Sequence, residues 1–293
     1  MYELIQISEH CYYVESPAKI GLVRLSDQEV CLIDSGSDKD AGKKVLRHIE
    51  ANGWTLSAIY NTHSHADHIG GNHFLQERTG CKIYAPGIER DFTEHTILES
   101  AFLYGGNPPK ELRHKFLYAQ ESVAEPLTQA VLPEGFSVIP LPGHSFSQVG
   151  FRTPDDVVYL GDAYASAATL EKYRVGFLYD VGAYLETLQM LLSTKAKCFV
   201  PSHAPVSEDI TEILKYNSEC VLAVAERIRL LCTTPKCFET VLAEIFRDFG
   251  LTMNFQQYAL IGSTVRSYLT YLSEQGKVAP RFEDGMLLWT SAS

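Results

Sequence analysis

Several features that would assign this chain quickly are missing. The seven cysteines, at 11, 31, 81, 198, 220, 232 and 237, are odd in number and scattered, and no two are spaced as Cys-x-x-Cys. That argues against a disulfide framework and against cysteine metal ligands, and it fits reduced, buried thiols in a cytoplasmic protein. No apolar run approaches the roughly 20 residues of a membrane-spanning helix. The opening MYELIQISEHCYYVESPAKIGLV has no basic stretch leading into an apolar one, so no secretory signal is expected. Basic residues are in deficit, 25 Lys and Arg against 36 Asp and Glu, for a net charge of −11. Such a chain is repelled by phosphate backbones, which argues against a nucleic-acid partner but leaves room for a local basic groove. There is no Gly-x-Ser-x-Gly elbow, no internal repeat and no low-complexity tract.

What is present reads as an ordinary globular protein. The 293 residues are 45% apolar and 21% charged, enough for one large domain or one large and one small. Short β-rich runs at Cys11–Val14, Gly21–Leu25 and Glu29–Ile33 are followed by helical spacing over Asp40–Asn52, capped by Gly53. Leu56–Tyr60 reads as a buried strand, Ile69–Arg78 as one helix ending at Gly80, and Lys82–Ala85 as a strand. Residues 87–130 are rich in Glu, Phe, Tyr and Leu and carry the breaker Gly105-Gly106-Asn107-Pro108-Pro109. They read as an inserted pair of short helices around a turn, a candidate lid. Phe92, Phe102, Tyr104, Phe116 and Tyr118 either line an apolar wall there or form the insertion's own small core. Strands are expected again at Ser137–Leu141, Val149–Thr153, Val157–Leu160 and Cys198–Pro201, with a helix over Tyr184–Leu192. Beyond that, helices at Ile210–Leu231, Phe238–Phe249 and Gln257–Gln275 precede a hairpin, an order that resembles a winged helix. Alternating strands and helices predict a layered α/β architecture.

The chemistry concentrates in Thr62-His63-Ser64-His65-Ala66-Asp67-His68, between a strand and a helix. Four donors occupy six positions. His63 and His65 can splay toward one ion, while Asp67 and His68 point elsewhere and suit a second. His144, Asp162 and His203 each follow the end of a predicted strand, where functional groups of layered α/β folds gather. Each of these three, alone, is equally well a surface or turn residue. His10, His48, His73, His95 and His114 match no motif.

Taken in order, Asp34 in Leu32-Ile33-Asp34-Ser35-Gly36, the Thr62–His68 segment, Pro142-Gly143-His144-Ser145, Gly161-Asp162 and Ser202-His203 resemble the five motifs of the metallo-β-lactamase superfamily, over residues 1 to about 205. The complete ligand set is similar to the glyoxalase II branch. The resemblance implies a four-layered αβ/βα sandwich over 1–205, with a lid insertion at about 87–130. A helical, winged-helix-like extension occupies 206–293. It implies two divalent metal ions, zinc first and iron or manganese as alternatives. His63, His65 and His144 hold one, Asp67, His68 and His203 hold the other, and Asp162 bridges both. Asp34 corresponds to the family's ligand-orienting acid. The antibiotic-hydrolysing relatives lack the bridging acid of the fourth motif, so Asp162 points away from that role.

The implied mechanism is hydrolysis by a metal-bridging hydroxide, with Asp67 orienting it or taking its proton, on a small thioester, ester or lactone. Three competing expectations are a metal-dependent phosphodiesterase or ribonuclease, a one-iron persulfide dioxygenase, and a binding protein without turnover. The tail sets Arg266, Lys277 and Arg281 against Glu274, Glu283 and Asp284, which is no basic stripe. It is expected to serve packing, homodimerisation or closure of the pocket.

Overall fold

Side chains alternate across a strand, so an apolar run must be covered on both faces. The computed structural model describes residues 2–292, and it covers each sheet twice. The first sheet runs β1 (Leu4–Gln6), β2 (Cys11–Val14), β3 (Ile20–Arg24), β4 (Glu29–Ile33), β5 (Thr55–Tyr60), β6 (Lys82–Ala85) and β7 (Glu125–Pro126) in that order. The pairs up to β4 are antiparallel and those after it parallel. Parallel pairing needs crossovers. Helix α1 (Lys39–Ala51) joins β4 to β5, and α2 (Ala66–Ile69) with α3 (Asn72–Thr79) joins β5 to β6. Leu22, Leu32 and Ile59 turn outward onto Val45, Ile49 and Leu75 of these helices. Val23, Cys31, Ile33 and Tyr60 turn inward.

The inward faces meet a second sheet, ordered β11-β10-β9-β8, with β8 at Ser137–Pro140, β9 at Val149–Arg152, β10 at Val157–Gly161 and β11 at Cys198–Pro201. Phe151, Val157, Tyr159 and Val200 fill the space between the sheets. Val158, Leu160 and Phe199 face the other way, onto later helices. The result is the four-layered helix–sheet–sheet–helix sandwich that the motifs imply.

Within the insertion, α4 (Glu89–Glu94) and α5 (Ile97–Tyr104) both precede the Gly105–Pro109 breaker, and only the two-residue β7 and two 3₁₀ turns, Lys110–Leu112 and Leu127–Gln129, follow it. The expected helix over Ile69–Arg78 is broken at Gly70-Gly71. A Cβ on Gly70 would lie 2.3 Å from the Ser37 carbonyl carbon, and one on Gly71 2.3 Å from Ser35 O. The two glycines let the loop after β4 approach the backbone, and Ser35 Oγ accepts from Gly71 N. Several further elements escape the sequence patterns, two of them for plain reasons. The three-residue β1 is too short to show a period, and α6 (Ala167–Tyr173) has no buried residue and hence no apolar stripe.

Helix α7 (Val181–Ser193) precedes β11. Next come α8 (Thr211–Leu231), β12 (Lys236–Cys237), α9 (Phe238–Asp248), α10 (Phe255–Glu274), β13 (Val278–Glu283) and β14 (Met286–Ser291). β12, β14 and β13 form a small antiparallel sheet. One buried cluster runs without interruption from Val158 and Leu160 through Leu188 to Val224, Ile228, Val265 and Leu269. No helix is long and apolar enough to cross a membrane among the described residues.

Candidate metal centre

Five chain segments converge at one edge of the sandwich. His63 and His65 lie in the loop after β5, Asp67 and His68 on α2, His144 between β8 and β9, Asp162 directly after β10 and His203 just beyond β11. The His144 loop needs Gly143: its φ is +118°, and a Cβ there would stand 2.2 Å from Tyr184 N. The loop is thereby seated on the first turn of α7, where Asp180 N and Tyr179 N bond Gly143 O at 3.0 Å.

All seven predicted ligand residues come together. His65 Nδ1 lies 3.0 Å from both His63 Nε2 and His144 Nε2. His203 Nε2 lies 3.1 Å from Asp67 Oδ2, and His68 Nε2 lies 3.9 Å from Asp67 Oδ1. The Asp162 carboxylate stands between the two groups, with Oδ1 3.2 Å from His68 Nε2 and Oδ2 3.4 Å from His144 Nε2 and 3.3 Å from His203 Nε2. His63, His65 and His144 form one cluster with ligand atoms within 4.8 Å of each other, and Asp67, His68 and His203 form another.

Two atoms of this cluster, His68 Nε2 and Asp162 Oδ1, are buried without a hydrogen-bond partner. Buried polar atoms are rarely left so, and an orphan nitrogen facing an orphan carboxylate oxygen is what a cation between them would satisfy. Imidazole and carboxylate are suitable donors for Zn²⁺ and similar divalent ions. The residues therefore fit a two-cation site.

Electrostatics split the histidines. Burial lowers His65 and His144 to about 4, and holds His63 well below its ordinary value. These three are neutral at pH 7 and ready to ligate. His203 is raised to about 10, chiefly by the Asp162 carboxylate. Burial would lower His68, but Asp162, Asp67 and Asp34 overcome it and raise the ring well above its usual value. Asp67 and Asp162 resist their own burial because the His68 and His203 charges hold them low. Without cations, two imidazoliums partly neutralise the acids.

Three of the five rings are fixed from behind. His68 Nδ1 bonds Asp34 Oδ2 at 2.8 Å, His63 Nδ1 meets Thr62 Oγ1 at 3.0 Å, and His203 Nδ1 meets Pro17 O at 2.8 Å. Asp34 also accepts from Thr62 N and Thr62 Oγ1, each at 2.7 Å, and adopts a left-handed φ of +63°. Such outer contacts orient ligand rings. His10, His48, His73, His95 and His114 stay outside the cluster. His48 bonds Tyr2 O, and His73 bonds Glu121 O.

Two acids in the insertion escaped the sequence reading. Glu89, fully buried at the start of α4, accepts from Ser64 N and Oγ on one oxygen and from Ser145 Oγ and Ser147 N on the other. It ties the His63–His65 loop to the His144 loop. Glu99 stands 3.8 Å from His65 Nε2, and burial and the Glu89 charge push its carboxyl up to about 8. A single acid inside the otherwise apolar Ile-Leu-Glu-Ser-Ala-Phe-Leu-Tyr helix was the available signal for Glu99. Glu89 carried none, because an acid in a first turn is ordinary helix-dipole chemistry.

A cavity of about 370 Å³ opens from His65, Asp67, His144, Asp162 and His203 and runs toward α8 and α10. Phe116 and Leu117 of the insertion reach it, as do Tyr173 and Phe177. Phe177 packs edge-on against His65, ring centroids 5.3 Å apart. The other insertion aromatics do not: Phe92 and Phe102 pack on Phe146, and Tyr104 on Phe255.

Residues 14–203, 190 of the 293, match the metallo-beta-lactamase superfamily. The chain belongs to that superfamily. A hydroxyacylglutathione hydrolase of Hyphomonas neptunium is 32% identical over 119 residues, covering 40% of this chain and 38% of the relative. One from Rhodospirillum rubrum is 37% identical over 93 residues, covering 29% and 35%. The match thus spans well under half the length of these relatives. Among solved structures, a beta-lactamase domain protein from Burkholderia ambifaria aligns with a TM-score of 0.73 over 99% of this chain and 94% of its own, at 15% identity. At that identity the likeness speaks for the fold alone.

Proposed function

We propose that this superfamily member is a dinuclear metal-dependent hydrolase of small thioesters, esters or lactones. The observation that carries the reading is the Asp162 carboxylate, which faces His144 with one oxygen and His68 with the other while also touching His203. In this reading His63, His65 and His144 hold one cation, Asp67, His68 and His203 hold the second, and Asp162 is shared. Zinc is the first choice, with iron or manganese as alternatives. Two such cations supply Lewis acidity, easing ionisation of water and polarising a carbonyl oxygen.

The chain's own groups do the rest. Asp34 holds His68 with Nε2 toward the cluster, and Glu89 keeps the two ligand loops in register. Asp67, the most exposed of the ligands with 40% of its side chain accessible, is placed to take a proton from an attacking water. Phe177 and Leu117 exclude bulk water from the reacting carbonyl. Arg174 is the lone Lys or Arg along the cavity, against Asp67, Glu99 and Asp162. That balance supports an acyl substrate over a polyanion. The same reading takes residues 1–205 as the catalytic part and 206–293 as a winged-helix-like part that closes the cavity.

The test is a panel of thioesters, esters, lactones, phosphodiesters and short RNAs against metal-reconstituted protein, with metal content measured alongside. Turnover of carbonyl substrates with two ions per chain is expected. Cleavage of phosphodiesters alone, or a single tightly held iron with persulfide oxidation, would overturn it.

A further inference from the structure

The cavity is far more apolar at its closed end than a small polar acyl group requires. Its metal end is open: the side chains of Asp67 and His203 are 40% and 28% accessible. Its far end is formed by Val221 and Val224 of α8, Ile261 and Tyr268 of α10, and Val175 and Leu178 ahead of α7, none more than 7% exposed. Of the polar side chains along the cavity, Asn217 of α8 is fully engaged. Asn217 accepts from Ala165 N and Tyr184 Oη, and donates to Ala165 O and Ile213 O. It has nothing left for a ligand. Tyr164 Oη, two residues beyond Asp162, is buried and without a partner, the kind of donor an acyl oxygen near the cluster would meet. A mostly apolar pocket leading off a polar reacting centre binds aliphatic chains chiefly through their area rather than through hydrogen bonds.

We propose that this cavity is an acyl-chain pocket and that the substrate is the thioester of an unbranched aliphatic acid. The inference rests on the hydrolase reading above for its reaction, but not for its pocket. The chain lies between α8 and α10, the carbonyl sits at the Asp162 cluster, and the thiol portion leaves past Tyr173 and Phe116 at the exposed mouth. Water supplies the oxygen of the released acid, the C–S bond breaks, and the thiol departs with a proton, so no oxidant or reductant is needed. The volume holds on the order of ten groups the size of a water molecule at about 30 Å³ each, room for roughly six to eight carbons beside the reacting group. The helical part of the chain is then a specificity element, since α8 and α10 set the depth of the pocket.

The experiment is a chain-length series of N-acetylcysteamine thioesters, acetyl to dodecanoyl, with the zinc-reconstituted full chain. Each added methylene that enters the pocket should raise kcat/KM about fourfold, to a maximum near six to eight carbons and a fall beyond. Val224→Phe and Ile261→Phe should lower the octanoyl-to-acetyl ratio of kcat/KM tenfold or more. Binding of the non-hydrolysable thioether S-octyl-N-acetylcysteamine, followed by calorimetry, needs no turnover. It should be at least tenfold tighter than that of the S-methyl analogue, with a negative heat-capacity change. Thioester turnover with a flat or falling chain-length profile overturns the pocket and leaves the hydrolase standing. Chain-length-dependent thioether binding without turnover of any thioester overturns the thioester substrate and leaves the pocket. Failure of both removes the proposal whole.

Discussion

Metal uptake by this chain should release protons, and the number follows from the geometry. Five imidazoles face the cluster. His63, His65 and His144 are held low by burial, the latter two to about 4, so they are neutral at pH 7 and have nothing to release. His203, raised to about 10 mainly by Asp162, and His68, carried upward against burial by Asp162, Asp67 and Asp34, are imidazoliums at the same pH. A cation needs the neutral ring, so both must give up a proton. About two protons should therefore leave the side chains, and a third would come from solvent ionised on uptake. Affinity should rise roughly a hundredfold per pH unit through neutrality on the side-chain count alone. Calorimetry of zinc binding in buffers of different ionisation enthalpy counts the protons. Nitrogen NMR of the metal-free chain at pH 7 reads the rings directly, and should show His68 and His203 charged and the other three as neutral tautomers. Neutral His68 and His203, or release of less than one proton, would refute the reasoning. The stability of the metal-free protein carries the complementary signature. The His203 contribution is fully present below the unfolded value near 6.5 and is lost as pH rises toward 10. The buried His65 and His144 act oppositely, destabilising the fold as pH falls from 6.5 toward 4.

Asp162→Ala should reduce the metal content from two ions per chain and cut turnover at least about a hundredfold, by elemental analysis and kinetics. His73→Ala, whose ring bonds only Glu121 O and the exposed Glu77, should shift stability by less than about 0.5 kcal/mol. An Asp162 variant that kept both ions and its rate would sink the bridging role. Glu89→Gln sets an amide NH₂ against Ser64 N–H or Ser147 N–H and should cost about 2–4 kcal/mol in urea unfolding, with weaker metal binding; an unchanged midpoint and unchanged metal content would show that it does not join the loops. Truncation after residue 205 uncovers Val158, Leu160 and Phe199, so the fragment should aggregate or lose its cooperative transition. A fragment 1–205 that melts like the full chain by circular dichroism would show the two parts to be independent.

Much of the site was legible because metal chemistry leaves local marks. Four candidate ligands fall in the six positions His63 to His68, and donor spacing in a loop between a strand and a helix is a short-range property that residue identity expresses directly. Strand positions were legible for the same reason, since short apolar runs such as Ile20–Arg24 and Val157–Gly161, buried on both faces, are written residue by residue. The helix over Ile69–Arg78 misread because its break is imposed from outside, by the Ser35 and Ser37 backbone pressing on Gly70 and Gly71.

The sequence by itself determined which groups can bind metal and which layers surround them, because donor chemistry and apolar periodicity are properties of neighbouring residues. Only the tertiary structure decided that Asp162 stands between two clusters, that Glu89 joins the Ser64 loop to the Ser145 loop, and that Val224 and Ile261 wall the same cavity as His144. Those relations depend on segments distant along the chain being brought within a few ångströms by the packing of two sheets and three long helices, and no local pattern encodes a distance of that kind.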